Sequence, residues 1–142
     1  MTRASHHSQR NTKGRIISVR LPGTASSVAE ARDQIVGFAR ESGFSDDQLF
    51  DIGLAVGEAC ANAVMHAVSS QSIFQVEALD RGGEIVVTVT DPGDDALPPL
   101  LRDPDRVGGL GLFLIRQLMD RLSLDMSHEG TRLTMSRRKP AA

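Results

Sequence analysis

The sequence predicts an α+β domain, a two-layer α/β sandwich in which helices cover one face of a mostly antiparallel sheet. Three observations lead to this class. The chain of 142 residues has the length of one domain with one hydrophobic core. Predicted strands arrive in adjacent pairs, which favours antiparallel pairing. The helical segments carry apolar residues at a period near 3.6, so each has a face suited to cover the sheet.

The first predicted strand covers residues 16–21, a β-rich run that Pro22 and Gly23 terminate. The residues before it are polar and basic and show no periodicity. We therefore expect residues 1–14 to form a flexible tail and residues 15–138 to form the domain.

Two helices follow, each with a predicted start. The first begins at Ser27, which fits a capping box with Glu30, and the second begins at Ser45, with Gln48 in the same relation. The second helix is predicted to run to about residue 66 or 68. Apolar residues recur at helical spacing along both helices and define their core-facing sides. The first side comprises Val28, Ala31, Ile35, Phe38 and Ala39, and the second comprises Ile52, Val56, Ala59, Ala63 and Ala67.

The second half of the chain is predicted to hold two hairpins around a third helix. A turn rich in Gly joins residues 73–79 to residues 84–90. Residues 91–107 are dense in Pro, Asp and Gly, and a loop of this length in a small domain is usually functional, so we expect a lid. The third helix has Leu112, Ile115, Leu118 and Met119 on one face, and the closing hairpin pairs residues 122–126 with 131–137.

Composition and charge argue against several function classes. The net charge is -2 and the chain has no Trp and no Tyr, so neither a basic surface nor an aromatic platform favours direct nucleic-acid binding. The sequence has no apolar run long enough to cross a bilayer, and its first residues lack the apolar centre of a secretory signal. We expect a cytoplasmic protein with no membrane partner. Cys60 lies in an apolar helical pattern, which is typical of a small core residue rather than a nucleophile.

A polar row borders the core-facing side of the second helix. Glu58, Asn62 and His66 are four residues apart, so they climb one flank and drift about 40° per step. Side chains on such a flank can be partly desolvated and still reach a ligand. The carboxylate can accept a proton from a hydroxyl, the amide oxygen suits a hard cation such as Mg²⁺, and the imidazole can donate to a phosphate. Ordinary polar helix faces also carry such residues, so the neighbouring segments must decide whether this row binds a ligand.

A turn rich in glycine opens the third helix. Gly108, Gly109 and Gly111 lower helix stability, and close approach of the backbone to a ligand is one reason to keep them there. Unpaired N–H groups and the helix dipole at that end favour a phosphate. The Lys-Ser/Thr of a Walker loop does not follow these glycines, and the dinucleotide-binding spacing also fails. A flexible hinge is the alternative interpretation of this turn.

The segments GEACANAVMHA, VTDPGDD and GGLGLFLIRQLMD occur in this order between residues 57 and 120. Together they resemble the N-box and the two glycine boxes of the GHKL (histidine-kinase-like) ATPases, the superfamily of gyrase, histidine kinases and bacterial anti-sigma-factor serine kinases. The second glycine box, the short chain and the compact lid are most similar to the anti-sigma-factor serine/threonine kinase branch. The strand and helix pattern extends the resemblance over residues 15–138. The resemblance implies the Bergerat ATP-binding fold.

The resemblance implies a role for each matching residue. Asn62 would hold the Mg²⁺ that bridges the phosphates of ATP, and Glu58 would act as the catalytic base on the hydroxyl of a protein substrate. Asp91 would accept a hydrogen bond from the adenine amino group, with Gly93 keeping the backbone close to the base. The remaining cofactor-binding positions implied for ATP are His66, Gly108, Gly109, Gly111, Leu112 and Thr131.

The first glycine box departs from the family's pattern at Asp95, which replaces its second glycine. The extra carboxylate could weaken nucleotide binding or alter the lid. Asp94 and Asp95 are equally typical of simple turn residues. The adenine-reading Asp91 is kept.

The resemblance implies an ATP-dependent serine protein kinase and anti-sigma factor of a partner-switching system. Its partners would be a sigma factor and an anti-sigma-factor antagonist, a STAS-type phosphoacceptor protein. Leu54, Met65 and Val68 lie off the core-facing side of the second helix, which leaves room for a homodimer.

Three alternatives to this function stay open. A nucleotide-binding partner switch without kinase activity would keep the ATP site, although Glu58 favours transfer. The ATP-binding module of a histidine kinase is a second alternative, but the sequence shows no preceding dimerisation helix with a phosphoacceptor histidine. A scaffold that binds no nucleotide would require all three motifs to be coincidental.

Overall fold

The computed structural model has the predicted α+β class and describes residues 5–11, 14–65, 67, 72–92, 109–127 and 130–140. Its strands are β1 (Ser5–Asn11), β2 (Gly14–Pro22), β3 (Ile73–Asp80), β4 (Glu84–Pro92), β5 (Arg121–Ser127) and β6 (Gly130–Arg138). Its helices are α1 (Ala25–Glu41), α2 (Asp46–Met65) and α3 (Gly109–Leu118). Within these residues the strands form one antiparallel sheet in the order β1-β2-β3-β4-β6-β5.

One face of the sheet forms the floor of the hydrophobic core. Alternate side chains of the central strands are buried against the helices, whereas their neighbours point to the other face and are more exposed. This period of two is the pattern of a sheet covered on one side only. The buried set is Ile17, Val19 and Leu21 on β2, Phe74, Val76 and Ala78 on β3, and Ile85, Val87 and Val89 on β4.

The helices present the apolar sides that the sequence predicts. On α2 the predicted residues Ile52, Val56, Ala59 and Ala63 are buried. The buried residues of α1 include Ala31, Ile35, Phe38 and Ala39, and those of α3 include Ile115. None of the helices in the described residues is long and apolar enough to cross a membrane.

The two predicted helix starts have different outcomes. At α2 the capping box is confirmed: the Ser45 N–H donates to Gln48 Oε1 at 3.3 Å, and the Gln48 N–H donates to Ser45 Oγ at 3.3 Å. At α1 the prediction is wrong, because the helix begins at Ala25 with Thr24 in extended conformation before it. The Thr24 N–H donates to the Pro22 carbonyl at 2.8 Å, so the chain turns before Ala25, and Ser27 falls inside the first helical turn and is buried.

The structure also differs from the expected flexible tail over residues 1–14. Strand β1 pairs with β2 in a continuous register that runs from Ser5↔Arg20 to Asn11↔Gly14. Backbone groups make this pairing, so it requires no apolar period, and the sequence therefore carries no periodic signal for it. Gly14 has φ 130, and a Cβ there would lie 1.8 Å from the Asp80 carbonyl oxygen. Only glycine fits this position at the edge of β2.

Paired charges occupy the end of the sheet where β3 turns into β4. Asp80 is buried, and its Oδ1 accepts from the Gly82 N–H at 2.9 Å and from Lys139 Nζ at 3.1 Å. Burial acts to raise the pKa of Asp80, but the hydrogen bond from Gly82 and the Lys139 ammonium outweigh it and hold that pKa below its ordinary value. Nearby, Arg15 binds Glu41 at 2.6 Å, which ties β2 to the end of α1.

Candidate active site

The first part of the site lies where the glycine end of α3 meets the polar flank of α2. A Cβ on Gly111 would lie 3.1 Å from Glu58 Oε2, 3.7 Å from Asn62 Nδ2 and 3.9 Å from Asn62 Oδ1. Glu58 and Asn62 are one helical turn apart, so both side chains reach this space from the same flank. The absence of a side chain at Gly111 therefore keeps open the space in front of a carboxylate and an amide.

Asn62 is the most unusual polar side chain of this group. It is 7% exposed, and its buried Nδ2 has no hydrogen-bond partner among the residues that the structure describes. Leaving a buried donor unsatisfied costs about 1–3 kcal/mol, so a position like this needs a compensating reason. A ligand oxygen that accepts from the amide nitrogen would supply one, and it would leave the amide oxygen able to face a cation.

The donor set at Asn62 fits Mg²⁺ held together with phosphates. The described residues contain no group of three or more His, Cys, Asp or Glu side chains that could hold a metal ion. Mg²⁺ does not need one, because it usually keeps several waters and binds through one or two protein oxygens plus substrate phosphates. The Asn62 amide oxygen would hold the ion, and the open start of α3 would face the phosphates.

The second part of the site lies at the far ends of β4 and β6. Asp91 and Thr131 are directly opposite in the register, and the Thr131 N–H donates to Asp91 Oδ1 at 3.3 Å. Asp91 also lines a narrow recess that reaches the end of α2, with Ala63, Ala67 and Phe74 among its walls. The recess has a volume of only about 10 Å³, so its walls would have to move apart before a flat ring with an amino group could enter beside the Asp91 carboxylate. This recess begins one residue beyond Asn62 on α2.

Comparison with known proteins gives the family of this chain. Residues 21–137 match the family described as histidine kinase-like ATPase domain. The chain belongs to this family. Membership implies ATP binding.

Two relatives of this ATPase domain carry the name serine-protein kinase. The serine-protein kinase RsbW of Listeria monocytogenes serotype 4a (strain HCC23) is 33% identical over 135 residues, which cover 85% of this chain and 85% of that protein. The serine-protein kinase RsbW of Bacillus subtilis (strain 168) is 30% identical over 137 residues, which cover 85% of this chain and 84% of that protein. Both therefore match across most of their length.

A solved structure gives the same fold for this ATPase domain. The crystal structure of the RsbU and RsbW domains of a Mycobacterium tuberculosis protein aligns with a TM-score of 0.66 at 22% identity. The alignment covers 99% of this chain and 34% of that longer chain. This likeness supports the two-layer sandwich and the antiparallel sheet.

The predicted site residues of the ATPase domain separate into two groups. The structure brings Glu58, Asn62 and Gly111 together and, separately, Asp91 and Thr131. Gly109 is the first residue of α3, and Leu112 packs partly against the core, so its contact with ATP stays a prediction. The predicted positions that lie outside the described residues are His66, Gly93, Gly108, Asp94, Asp95 and the expected lid after Pro92.

The walls of the recess have a second role that the sequence does not predict. Ala63 and Phe74 are buried in the core, as expected, and together with Ala67 they also line the space beside Asp91. The sequence signal for that space is the pair of alanines at positions 63 and 67, which lie about one turn apart and leave room between α2 and the strands.

Cys60 takes no part in this site. It is fully buried, and burial raises the pKa of its thiol to about 12. A protonated thiol is a poor nucleophile, which agrees with its interpretation as a small core residue.

Proposed function

We propose that this chain is an ATP-dependent serine protein kinase that binds a sigma factor and phosphorylates an anti-sigma-factor antagonist. The observation that carries the proposal is the junction of Glu58, Asn62 and Gly111, which places a carboxylate, a buried unpaired amide and an open helix start in one space. The relatives named serine-protein kinase, at 30–33% identity over 85% of the chain, support the reaction type. We place the ATPase domain at residues 15–138, which the family match over residues 21–137 supports.

ATP would bind across both parts of the site. Asp91 would accept from the adenine amino group, and the Thr131 N–H at 3.3 Å holds its carboxylate in position. The triphosphate would then extend along α2 toward Asn62 and the start of α3, whose first N–H groups lack helix partners and face anions favourably. Mg²⁺, when bound at the Asn62 amide, would neutralise charge on the phosphate oxygens.

Transfer to a serine requires a base beside the terminal phosphate. Glu58 lies one turn before Asn62 and is half-buried, so its carboxylate can meet an incoming hydroxyl at the edge of the site. In the proposed step the serine oxygen forms a bond to the γ-phosphorus, the bond to the bridging oxygen of ADP breaks, and Glu58 takes the hydroxyl proton. The products are phosphoserine and ADP. Most of the catalytic effect comes from positioning and charge neutralisation.

The partners we propose are a sigma factor and a STAS-type phosphoacceptor antagonist. Both would meet the protein in the cytoplasm. The exposed large hydrophobic side chains in the helical layer support protein contacts there, since exposed apolar patches commonly mark such interfaces. They are Phe50, Leu54 and Met65 on α2 and Phe113 on α3. A homodimer over the same layer is the competing use of these side chains, and sedimentation of the isolated protein distinguishes them.

The experiment that tests the proposal separates ATP binding from transfer. Calorimetric titration with ATP, with and without Mg²⁺, measures binding, and transfer of labelled phosphate to a STAS-type antagonist measures the reaction. We expect Glu58→Gln to keep ATP affinity within about twofold and to lower the transfer rate by about 10²- to 10⁴-fold, the usual contribution of a general base.

Glu77→Gln is the matched control, because Glu77 is an exposed glutamate on the strand face opposite the helices. Glu77→Gln should change neither the ATP affinity nor the transfer rate. Binding without transfer in the unmodified protein would favour a nucleotide-binding switch without kinase activity. Undiminished transfer by Glu58→Gln would remove Glu58 from the reaction.

A further inference from the structure

Arg137, near the end of β6, joins three elements of the fold. Its NH2 group lies 3.3 Å from Asp51 Oδ2 on α2, and its NH1 group donates to the Leu118 carbonyl, the last residue of α3. Both side chains of the ion pair are half-buried. A guanidinium offers a rigid fork of donors, so one side chain can fix two acceptors in a defined relation.

The C-terminal end of α3 is attached to β6 by further bonds. The Asp120 N–H donates to the Ser136 carbonyl at 2.8 Å, and the Arg138 N–H donates to Asp120 Oδ2 at 2.6 Å. The last carbonyls of a helix lack internal partners and carry partial negative charge, so a cation bonded there is favourable. The contact of Arg137 with Leu118 is thus a cap on α3 as well as part of an ion pair.

The other end of α3 forms part of the candidate active site. Gly111 faces Glu58 and Asn62 across the gap described above. Asp51 and Glu58 are seven residues apart, which is close to two full turns, so they share one flank of α2. Helix α3 therefore lies along that flank, fixed near Asp51 at its last turn and facing Glu58 at its first.

Helix α3 packs on the core through Ile115 and Leu112, and Arg137 ties its last turn to α2 and β6. Its ten residues span about 15 Å, so a small tilt at Leu118 displaces Gly111 relative to Asn62. We propose that Arg137 is a positioning residue of the nucleotide site, which sets the distance from the glycine start of α3 to Glu58 and Asn62 without touching ATP. This inference rests on the proposed function, because it assumes that ATP binds at that gap.

The test compares two ion pairs of similar chemistry at different places. Arg137→Gln and Asp51→Asn each break the pair that holds α3. Glu41→Gln instead breaks the Arg15–Glu41 pair, which ties β2 to α1. Calorimetry gives the affinity for Mg·ATP, phosphate transfer gives kcat and KM for ATP, and thermal unfolding gives stability. All affinities are measured well below the unfolding temperature of each variant.

We expect Arg137→Gln to weaken Mg·ATP binding by about tenfold, since displacement of a binding group by a fraction of an ångström to 1 Å costs one to two orders of magnitude. Asp51→Asn should show a smaller loss in the same direction, and the double variant should lose no more than Arg137→Gln alone. Arg137→Lys keeps the charge but loses the fork, so it should recover part of the affinity. Glu41→Gln should bind as the unmodified protein does.

The outcomes separate this inference from the function on which it rests. Lower thermal stability with unchanged ATP affinity and KM in both Arg137→Gln and Asp51→Asn would overturn the positioning role and leave the kinase proposal intact. Absence of ATP binding by the unmodified protein would overturn the proposed function and this inference with it. If Arg137→Gln does not fold, Asp51→Asn and Arg137→Lys decide the question by the same measurements.

Discussion

Two buried polar side chains, Asp80 at the β3–β4 turn and Asn62 on α2, differ in whether their hydrogen-bonding groups have partners. Asp80 is 9% exposed and Asn62 is 7% exposed, so burial does not distinguish them. Asp80 accepts from the Gly82 N–H and from Lys139, whereas the Asn62 amide nitrogen has no partner within the described part of the chain. A paired buried group stabilises the fold, and an unpaired one costs stability until a ligand satisfies it. The difference supports the proposal that the region around Asn62 binds a ligand, whereas Asp80 serves the fold.

The largest expected effect comes from Asn62→Ala. Mg-dependent ATP affinity should fall by at least about 100-fold, since the proposed metal ligand is lost. The free energy of unfolding without ligand should stay the same or rise, because the variant removes an unsatisfied buried group. Calorimetry and urea unfolding measure the two quantities. A loss of stability of more than about 1 kcal/mol would show that Asn62 serves the fold as well.

Gly111→Ala should have the next largest effect. The new Cβ would lie 3.1 Å from Glu58 Oε2 and would fill part of the space that the site needs, so we expect about tenfold weaker ATP binding. Alanine should meanwhile stabilise α3 by up to about 1 kcal/mol.

Gly37→Ala is the control for this substitution. A Cβ at Gly37, in α1, has no neighbour within 4 Å, so it gains the same helix propensity without entering the site. Equal ATP affinity for both alanine variants would contradict the assignment of Gly111 to the site.

Asp80→Asn should have the opposite pattern of effects to Asn62→Ala: it should lower stability and leave ATP binding intact. At pH 7 we expect a loss of about 1–2 kcal/mol in the free energy of unfolding, with ATP affinity unchanged. The pKa of Asp80 is lowered in the folded protein from 3.8, so the carboxylate stabilises the fold above that pH. This contribution is lost as the pH falls through the lower folded-state pKa. Unfolding at pH 7 and near pH 3 measures it, and a difference between the two proteins that did not shrink at low pH would contradict the pairing.

The smallest effect is expected for Glu41→Gln. Glu41 binds Arg15 at 2.6 Å but its side chain is 70% exposed, and exposed ion pairs contribute little. We expect less than about 0.5 kcal/mol in urea unfolding at 0.15 M salt. A larger loss would show that the ion pair contributes more to stability than the exposure of Glu41 indicates. Arg15, which also stacks on Phe38, would then be the reason to examine next.

The sequence predicts best those structural features that depend on the residue spacing within a single helix. The core side of α2, its capping box at Ser45 and Gln48, and the placing of Glu58 beside Asn62 all follow from spacing along a single helix. The resemblance to the family's motifs adds Asp91 and Gly111 as candidate ATP-binding residues. Helical periodicity reports on these features because each depends on neighbours within a few residues.

The features that sequence reasoning misses depend on contacts between distant segments. Strand β1 forms through backbone pairing with β2, and the contact of Lys139 with Asp80 joins the last strand's end to a distant turn. The gap at Gly111 likewise depends on how α3 packs on α2. No local pattern encodes such contacts, because their energies come from tertiary packing rather than from propensity.

Cys60, the single cysteine of the sequence, lies two residues before Asn62 on α2 and can report on opening of the core. Its thiol is fully buried, so a reagent reaches it only when the packing around α2 opens, and the labelling rate measures how often that happens. No added probe is needed. A nucleotide held by α2 should make these openings rarer, so slower labelling in the presence of ATP would measure how much the nucleotide stabilises the core around α2.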